Sequence, residues 1–467
     1  MPSTARRLAR ISEAALLALL LGAARAYAQN PEEEAKRPTL EQQRNAQATN
    51  VSEDAARLYA PGQEITYEQI LANPDNQDLN YRYARQQVRK GDLKGAAATL
   101  ERMLLIDPNK PRIRLFYAVV LYRLDNIVEA QRELDVLASA NLGGQLGEEV
   151  KQYQKLVAER QKKNHLSGRA GVGFQYDTNR NAAPASGERL FFDTPIPLSA
   201  GSQRRDDTAV VFLGGLDYRR DVGNGQALFG SANYYQAEQT LEKILNLKAY
   251  SLQGGGVYQR GRNTITPTLL FDHVLLAQST YLRDRGVDVR FEHKFGRQGD
   301  FYVQVHDVFQ DFVANRVVPT APERTGIQLD ITSGFDYVLN PTMRVGAGYL
   351  HTWKHAAKHY NQFGRDGLLA DYIWLLGKGT FLLSNFTFNY DQYDQPDTAL
   401  SAKYRRDTTF RLSATYGLPL NLAHPALKDF LLTFTYEYYH ALSNIENFGY
   451  SNNKIGTLLT YKFDLGF

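Results

Sequence analysis

The 467-residue chain carries 29 Tyr and 23 Phe against 2 Trp and 3 Met at a mean hydropathy of −0.43, so it is rich in aromatics yet polar on average, and its length implies two folded units with a linker. Without Cys it can hold no disulfide framework, thiolate metal site, thiol nucleophile or lipid-bearing N-terminal cysteine, and no stretch after residue 28 runs for eighteen apolar residues, which excludes helical membrane spans. A formal charge of +4 is too small to argue for nucleic acid as a partner.

Residues 1–28 read as a cleavable export signal. Arg6, Arg7 and Arg10 precede the apolar run Ala14 to Leu21, and Ala26-Tyr27-Ala28 supplies the small-residue cleavage site. Its removal takes away four Arg and one Glu, so the charge falls to +1. Residues 29–75 are polar and interrupted by Pro31, Pro38, Pro61 and Pro74, which predicts a mostly flexible lead with room for one short helix. From 76 to 164 the pattern becomes periodic: Ala84, Ala96 and Leu100 recur 34 residues later as Ala118, Ala130 and Leu134. That spacing predicts an all-α tetratricopeptide-repeat domain of two helix pairs, with a capping helix around Glu148 to Gln161.

From 165 to 467 the period drops to two. Ile327, Leu329, Ile331, Phe335 and Tyr337 alternate with Gln328, Asp330, Thr332, Gly334 and Asp336. Strand-like runs fall near 166–178, 206–220, 226–240, 247–260, 263–274, 279–294, 300–313, 325–339, 343–355, 364–376, 379–391, 403–416, 428–442 and 452–467. Fourteen is even, and short turns such as Asn224-Gly225 and Gly261-Arg262 alternate with longer polar links near 179–205, 314–324, 356–363, 392–402 and 443–451. An all-β transmembrane barrel of 14 antiparallel strands, in a bacterial outer membrane with the repeat domain in the periplasm, is the expected fold. The link at 417–427 is too long for its place in that alternation. The last strand gathers Ile455, Leu459, Tyr461, Phe463, Leu465 and Phe467 on one face, and Tyr461, Phe463, Leu465 and Phe467 have the pattern of the signal that barrel-assembly machinery recognises.

No nucleophile elbow, phosphate loop or dinucleotide glycine pattern sits between a strand and a helix, so no enzyme and no cofactor are expected. Gly254, Gly255 and Gly256 interrupt a strand and point to a bend or close packing of the wall. Arg290, Glu292, Lys294 and Asp330 alternate with apolar residues and are expected in the lumen. His351, His355 and His359 are four apart, the spacing at which a helix could hold a metal, but they run from a strand into a loop. In the repeats, Tyr81, Arg85, Arg89, Arg112, Leu115, Tyr122 and Arg123 take the first-helix positions that line the concave face of such solenoids. Arg and Tyr there suit an extended or acidic peptide, though a solvated basic face would carry the same residues.

The mature chain resembles the surface lipoprotein assembly modulator (Slam) family. The resemblance rests on the run Ile65 through Asp75, the segment Gly91-Asp92-Leu93 through Leu100-Glu101-Arg102, Arg114-Leu115-Phe116-Tyr117-Ala118, and the barrel opening Gly171 through Asn179. It implies a translocator that passes client surface lipoproteins, or related secreted proteins, from periplasm to cell exterior. The partners it implies are the client, outer-membrane lipid, the barrel-assembly machinery and a periplasmic chaperone. A passive porin or a polysaccharide exporter is the competing class.

Overall fold

The structure, a computed structural model, describes residues 64–466 apart from Asn141, Asn224 and Arg297. The export signal, the lead up to residue 63 and Phe467 lie outside the described residues. Among the described residues, those up to Lys163 form one compact unit and Asn164–Leu465 another.

The first unit is helical: α1 (Tyr67–Ala72), α2 (Gln77–Arg89), α3 (Leu93–Ile106), α4 (Pro111–Arg123), α5 (Ile127–Ser139) and α6 (Gly144–Gln161). Each start has a local cause. The Asn76 side chain accepts from the Leu79 N–H, Asp92 accepts from the Gly95 N–H at 2.9 Å, and Pro111 opens α4 where its missing N–H costs nothing. The 34-residue period is written into the backbone as well. The Asp92 N–H bonds to the Gln87 carbonyl at 2.9 Å and the Asn126 N–H to the Leu121 carbonyl at 3.0 Å, one repeat apart. These close the same C-terminal turn, with Gly91 (φ 80°) and Asp125 (φ 64°) in the left-handed region. Ala84, Ala96 and Leu100 and their counterparts Ala118, Ala130 and Leu134 are all buried, since small residues let the helices approach and the leucines fill what remains. Fully burying each such leucine is worth about 1.5–3 kcal/mol. Val150, Tyr153 and Val157 of α6 close the second core, so the third helix face is the cap.

The one short helix allowed for in the lead is α1. It buries Ile70, and the Gln86 amide holds the backbone of Ile65 from both sides, accepting from its N–H at 2.9 Å and donating to its carbonyl at 2.8 Å.

The second unit is a closed antiparallel barrel. Its fourteen strands are β1 (Asn164–Asp177), β4 (Asp207–Gly223), β5 (Gln226–Gln239), β6 (Leu247–Arg260), β7 (Asn263–Leu276), β8 (Ser279–Phe295), β9 (Gly299–Phe312), β10 (Gly326–Asn340), β11 (Met343–Lys354), β12 (Phe363–Gly377), β13 (Thr380–Tyr393), β14 (Arg406–Pro419), β15 (Phe430–Ser443) and β16 (Tyr450–Gly466), with β1 closing onto β16. They differ from the sequence-based runs by at most three residues at either end. A small hairpin, β2 (Glu188–Phe191) and β3 (Thr194–Pro197), lies in the long polar link after β1.

Alternation sorts the wall into two faces. Outside stand Phe174, Leu216, Leu252, Leu269, Phe335, Leu368, Leu412 and Ile455, with Leu269 68% and Phe174 66% exposed. Inside are Arg169, Asp217, Asp336, Glu437 and Lys454. An apolar exterior around a charged interior is the burial pattern of a membrane-spanning barrel, and closure leaves no unpaired strand edge for lipid to meet.

The end at which β1 begins and β16 finishes, here the near end, has tight links, and the far end mostly long ones. Two links depart from the expected alternation. At the near end, 420–429 is filled by two 3-10 turns, Leu420–Leu422 and Pro425–Leu427, which use up the extra length. At the far end, β7 and β8 are joined by Ala277-Gln278 alone, both at positive φ (49° and 66°). A two-residue hairpin turn needs that geometry but usually advertises it with Asn or Gly, absent here. The triple glycine acquires a cause in the β6–β7 ladder, which is interrupted between Gly255 and Tyr258 where Pro267 has no N–H to give. A Cβ at Gly255 would sit 2.2 Å from the Pro267 carbonyl oxygen.

Candidate functional site

Three groups of residues carry the chemistry the chain can offer: a helical face, the lumen wall and the last strand. On α2, Arg82 and Arg89 are exposed and Arg85 half-buried, forming a stripe at positions four and three apart along one side of the helix. Arg112 is exposed at the start of α4 and Arg123 half-buried at its end, one repeat after Arg89. Arg82, Arg85, Arg89 and Arg112 make no ion pair among the described residues, whereas Arg114, half a turn away, is engaged by Glu133. Arg123 lies against α6, and burial lowers its pKa while Tyr153 opposes the shift. Burial pushes the Tyr153 phenol up to about 12, assisted by Glu149.

Two expectations for this face change. Leu115 is 5% exposed inside the second core with Leu121, Leu134 and Val150, so it holds helices together and cannot line a groove. Its spacing could not reveal this, because core and groove positions on one helix differ by a single residue step of 100°. Tyr81 packs edge-on against Phe116 of the next repeat, ring centres 5.7 Å apart, and Tyr122 lies against the second core; both present only part of their rings. Arg82 is the residue the sequence reading missed. It carries the same exposed stripe, and its signal was its spacing of three and seven from Arg85 and Arg89.

In the barrel, Arg290 on β8 is the hub of a lumen network. Its guanidinium donates to Glu292 at 2.7 Å and Gln304 at 3.3 Å, lies 3.5 Å from Asp336, and covers the Tyr302 ring at 3.8 Å from the centroid. Arg344 reaches the same Asp336 carboxylate at 2.9 Å. Lys294 is half-buried on the same side of β8. Asp330 accepts from Thr352 Oγ1 at 2.7 Å and from the Gln328 amide. Arg344, Asp336 and Tyr302 come from three strands, and the side-by-side pairing of β8 through β11 brings them to Arg290. A second set lines β14 to β16, where Glu437 sits 3.6 Å from Lys454 and 3.8 Å from Arg411. A lumen so lined is wettable and carries both signs of charge.

On the last strand, Tyr461, Phe463 and Leu465 face outward beside Ile455 and Leu459. Phe463 lies over Gly168 of β1, where any Cβ would strike the ring, so the aromatic fills the space the glycine leaves at the closing seam. Tyr461 packs on Phe430 at 5.1 Å. Of the three spaced histidines, His351 stays on β11 and pairs through Nδ1 with Asp366 at 2.8 Å while stacking edge-on against Trp353; His355 and His359 are exposed beyond the strand. Among the described residues no group of His, Cys, Asp and Glu could hold a metal ion.

Residues 87–158 match the tetratricopeptide repeat family. No curated protein matches the chain in sequence. Among solved structures, the chain is similar to a loop L8 deletion mutant of OmpT, an outer membrane protein of Vibrio cholerae (9% identity, TM-score 0.35, 64% of this chain and 100% of that one). It is also similar to OccAB4 of Acinetobacter baumannii (8%, 0.33, 66% and 100%) and to an outer membrane channel from Pseudomonas putida F1 (11%, 0.34, 64% and 95%). Likenesses this distant say nothing of cargo.

Proposed function

We propose that the chain moves client polypeptides, surface lipoproteins or related secreted proteins, across a bacterial outer membrane, as the surface lipoprotein assembly modulators it resembles do. The near end of the barrel faces the periplasm, the repeat unit captures the client there, and the barrel passes it on. One observation carries the reading: a helical unit with four arginines on its first-helix faces that make no ion pair among the described residues ends at Gln161, and the wall of a charged-lumen barrel begins at Asn164. Guanidinium groups supply forked donors to carboxylates and backbone carbonyls of an extended chain. The outward leucines and aromatics of the barrel supply the lipid contact, and the aromatic last strand the surface that barrel-assembly machinery takes hold of. No nucleotide motif is present to drive transport. A client that folds outside gains about 5–15 kcal/mol, enough to prevent its return. Periplasmic chaperones would deliver the client unfolded.

The test is to replace Arg82, Arg85 and Arg89 together by Glu. The barrel should still assemble in heat-modifiable form, the helical circular dichroism of the purified protein should be unchanged, and the client should accumulate in the periplasm. Normal surface display by a correctly folded triple variant overturns the capture role. The competing reading, a passive channel, rests on the wettable charged lumen and predicts no surface-protein phenotype when the gene is deleted.

A further inference from the structure

We infer that the far mouth of the barrel is closed by a lid, residues 182–202, which is held down by two neighbouring links and swings out as one piece to open the conduit. The first observation is a neck. The Arg180 N–H bonds to the Arg205 carbonyl at 2.7 Å, the Asn181 side chain bonds to the Gln203 carbonyl at 2.7 Å and the Arg205 N–H at 3.0 Å, and Arg204 Nε donates to the Thr178 carbonyl at 2.8 Å. The two feet of the segment are therefore pinned to each other, and what lies between them moves together.

The second observation is where the segment rests. Ala182, fully buried, packs on Tyr439, Ala441 and Tyr450, which point inward from β15 and β16, so the lid begins inside the mouth. Leu190 then packs against Leu400, Ile445 and Phe448 of the links 394–405 and 444–449. The Asn447 amide, with no exposed surface, grips the Leu190 backbone from both sides, accepting from its N–H at 2.6 Å and donating to its carbonyl at 3.1 Å. At the tip, the Phe192 N–H reaches the Ala399 carbonyl at 3.1 Å, and the Asp193 carboxylate takes the Ser401 hydroxyl and the Ala402 N–H. The Ala185 N–H bonds to the Gly449 carbonyl at 2.9 Å. Apart from the packing of Ala182 on β15 and β16, these holds all go to the same two links, and none is part of the wall ladder. They can break without opening the barrel, while the neck keeps the segment whole. Lid opening is needed only if cargo leaves through the lumen, so the inference extends the proposed function.

The chain has no Cys, so an engineered pair is the sole disulfide it can form. Ala185→Cys with Gly449→Cys joins residues already bonded through their backbones, and an added Cβ at 449 meets nothing closer than 3.8 Å. In planar bilayers the oxidised full-length pair should conduct several-fold less than the same protein after reduction. Asn447→Ala should raise conductance several-fold over the unsubstituted chain. In proteoliposomes, an Ala441→Cys reporter under the lid should react with an impermeant maleimide several-fold faster when Asn447→Ala is added. Equal conductance in oxidised and reduced pairs, an Asn447→Ala channel no more open than the parent, or an unchanged labelling rate each overturns the lid. Ion currents and labelling need no client, so these results are independent of whether the arginine face captures one.

Discussion

In the helical unit the residues that recur every 34 positions are buried and Arg82, Arg89 and Arg112 face water, whereas in the barrel the regularly spaced leucines and aromatics face out and ion pairs such as Arg290 with Asp336 sit within. The side-chain chemistry is the same in both; the solvent is not. A helix pair surrounded by water removes its apolar stripe from contact, and a closed wall surrounded by lipid has no reason to hide leucine but must surround every backbone donor with a partner. Identical substitutions should therefore have opposite meaning in the two units, which is the most direct way to break this comparison.

The largest effect is expected at the end of the barrel. Replacing Phe467 by a charged residue should abolish assembly, since in the sequence it continues the alternation that puts Ile455, Leu459, Tyr461, Phe463 and Leu465 on the outward face. The heat-modifiable folded band on a gel is the readout, and a normal amount of it in the outer membrane would show that the terminal aromatic is dispensable.

Next come substitutions that exchange the two solvents. Leu134→Ala in the helical core should cost about 2–5 kcal/mol, because the cavity opens among Ala130, Leu137 and Val150, which cannot all collapse into it. In the barrel, Leu329→Arg or Ile331→Arg should cost about 2–4 kcal/mol near the membrane midplane, while Thr332→Arg, whose side chain faces the lumen, should be mild. Urea unfolding in detergent or lipid measures each, the helical unit at 222 nm and the barrel by gel shift. Equal costs at Ile331 and Thr332 would mean that the inward and outward faces of β10 had been assigned wrongly.

The periods of 34 and of two were legible because each is imposed many times over: three buried pairs in the repeats and fourteen alternating runs in the wall. What escaped the sequence was set by single residues or by strand register. The turn at Ala277-Gln278 has no turn-forming residue type, and the hairpin in the first far-end link turns on Phe192-Asp193, again at positive φ without glycine. Leu115 was misplaced by one step around a helix. Asp336, Arg344 and Tyr302 could not be grouped with Arg290, because contacts across several paired strands depend on a register that alternation alone leaves undetermined. Arg82 was legible and was missed.

The smallest effect tests whether the repeat is a repeat in energy as well as in geometry. Gly91 and Asp125 occupy the same left-handed position 34 residues apart, at φ 80° and 64°. Gly91→Ala should cost about 1 kcal/mol, since an L side chain in that region strains against its own backbone even where, as here, nothing else lies within 4 Å of the new Cβ. The reverse change, Asp125→Gly, relieves a smaller strain, because Asp tolerates this region better than most residues. It also loses two things: the partly exposed ion pair with Arg160 at 3.2 Å, worth about 0.2–1 kcal/mol, and the lower unfolded-state entropy of a non-glycine residue, worth about 0.5–1 kcal/mol. Relief and loss offset each other, so Asp125→Gly should leave the urea midpoint of the helical signal nearly unmoved while Gly91→Ala lowers it. A clear rise for Asp125→Gly would mean that the second turn is strained in a way its partner is not, and that the Arg160 ion pair contributes nothing to holding α6 against the second repeat.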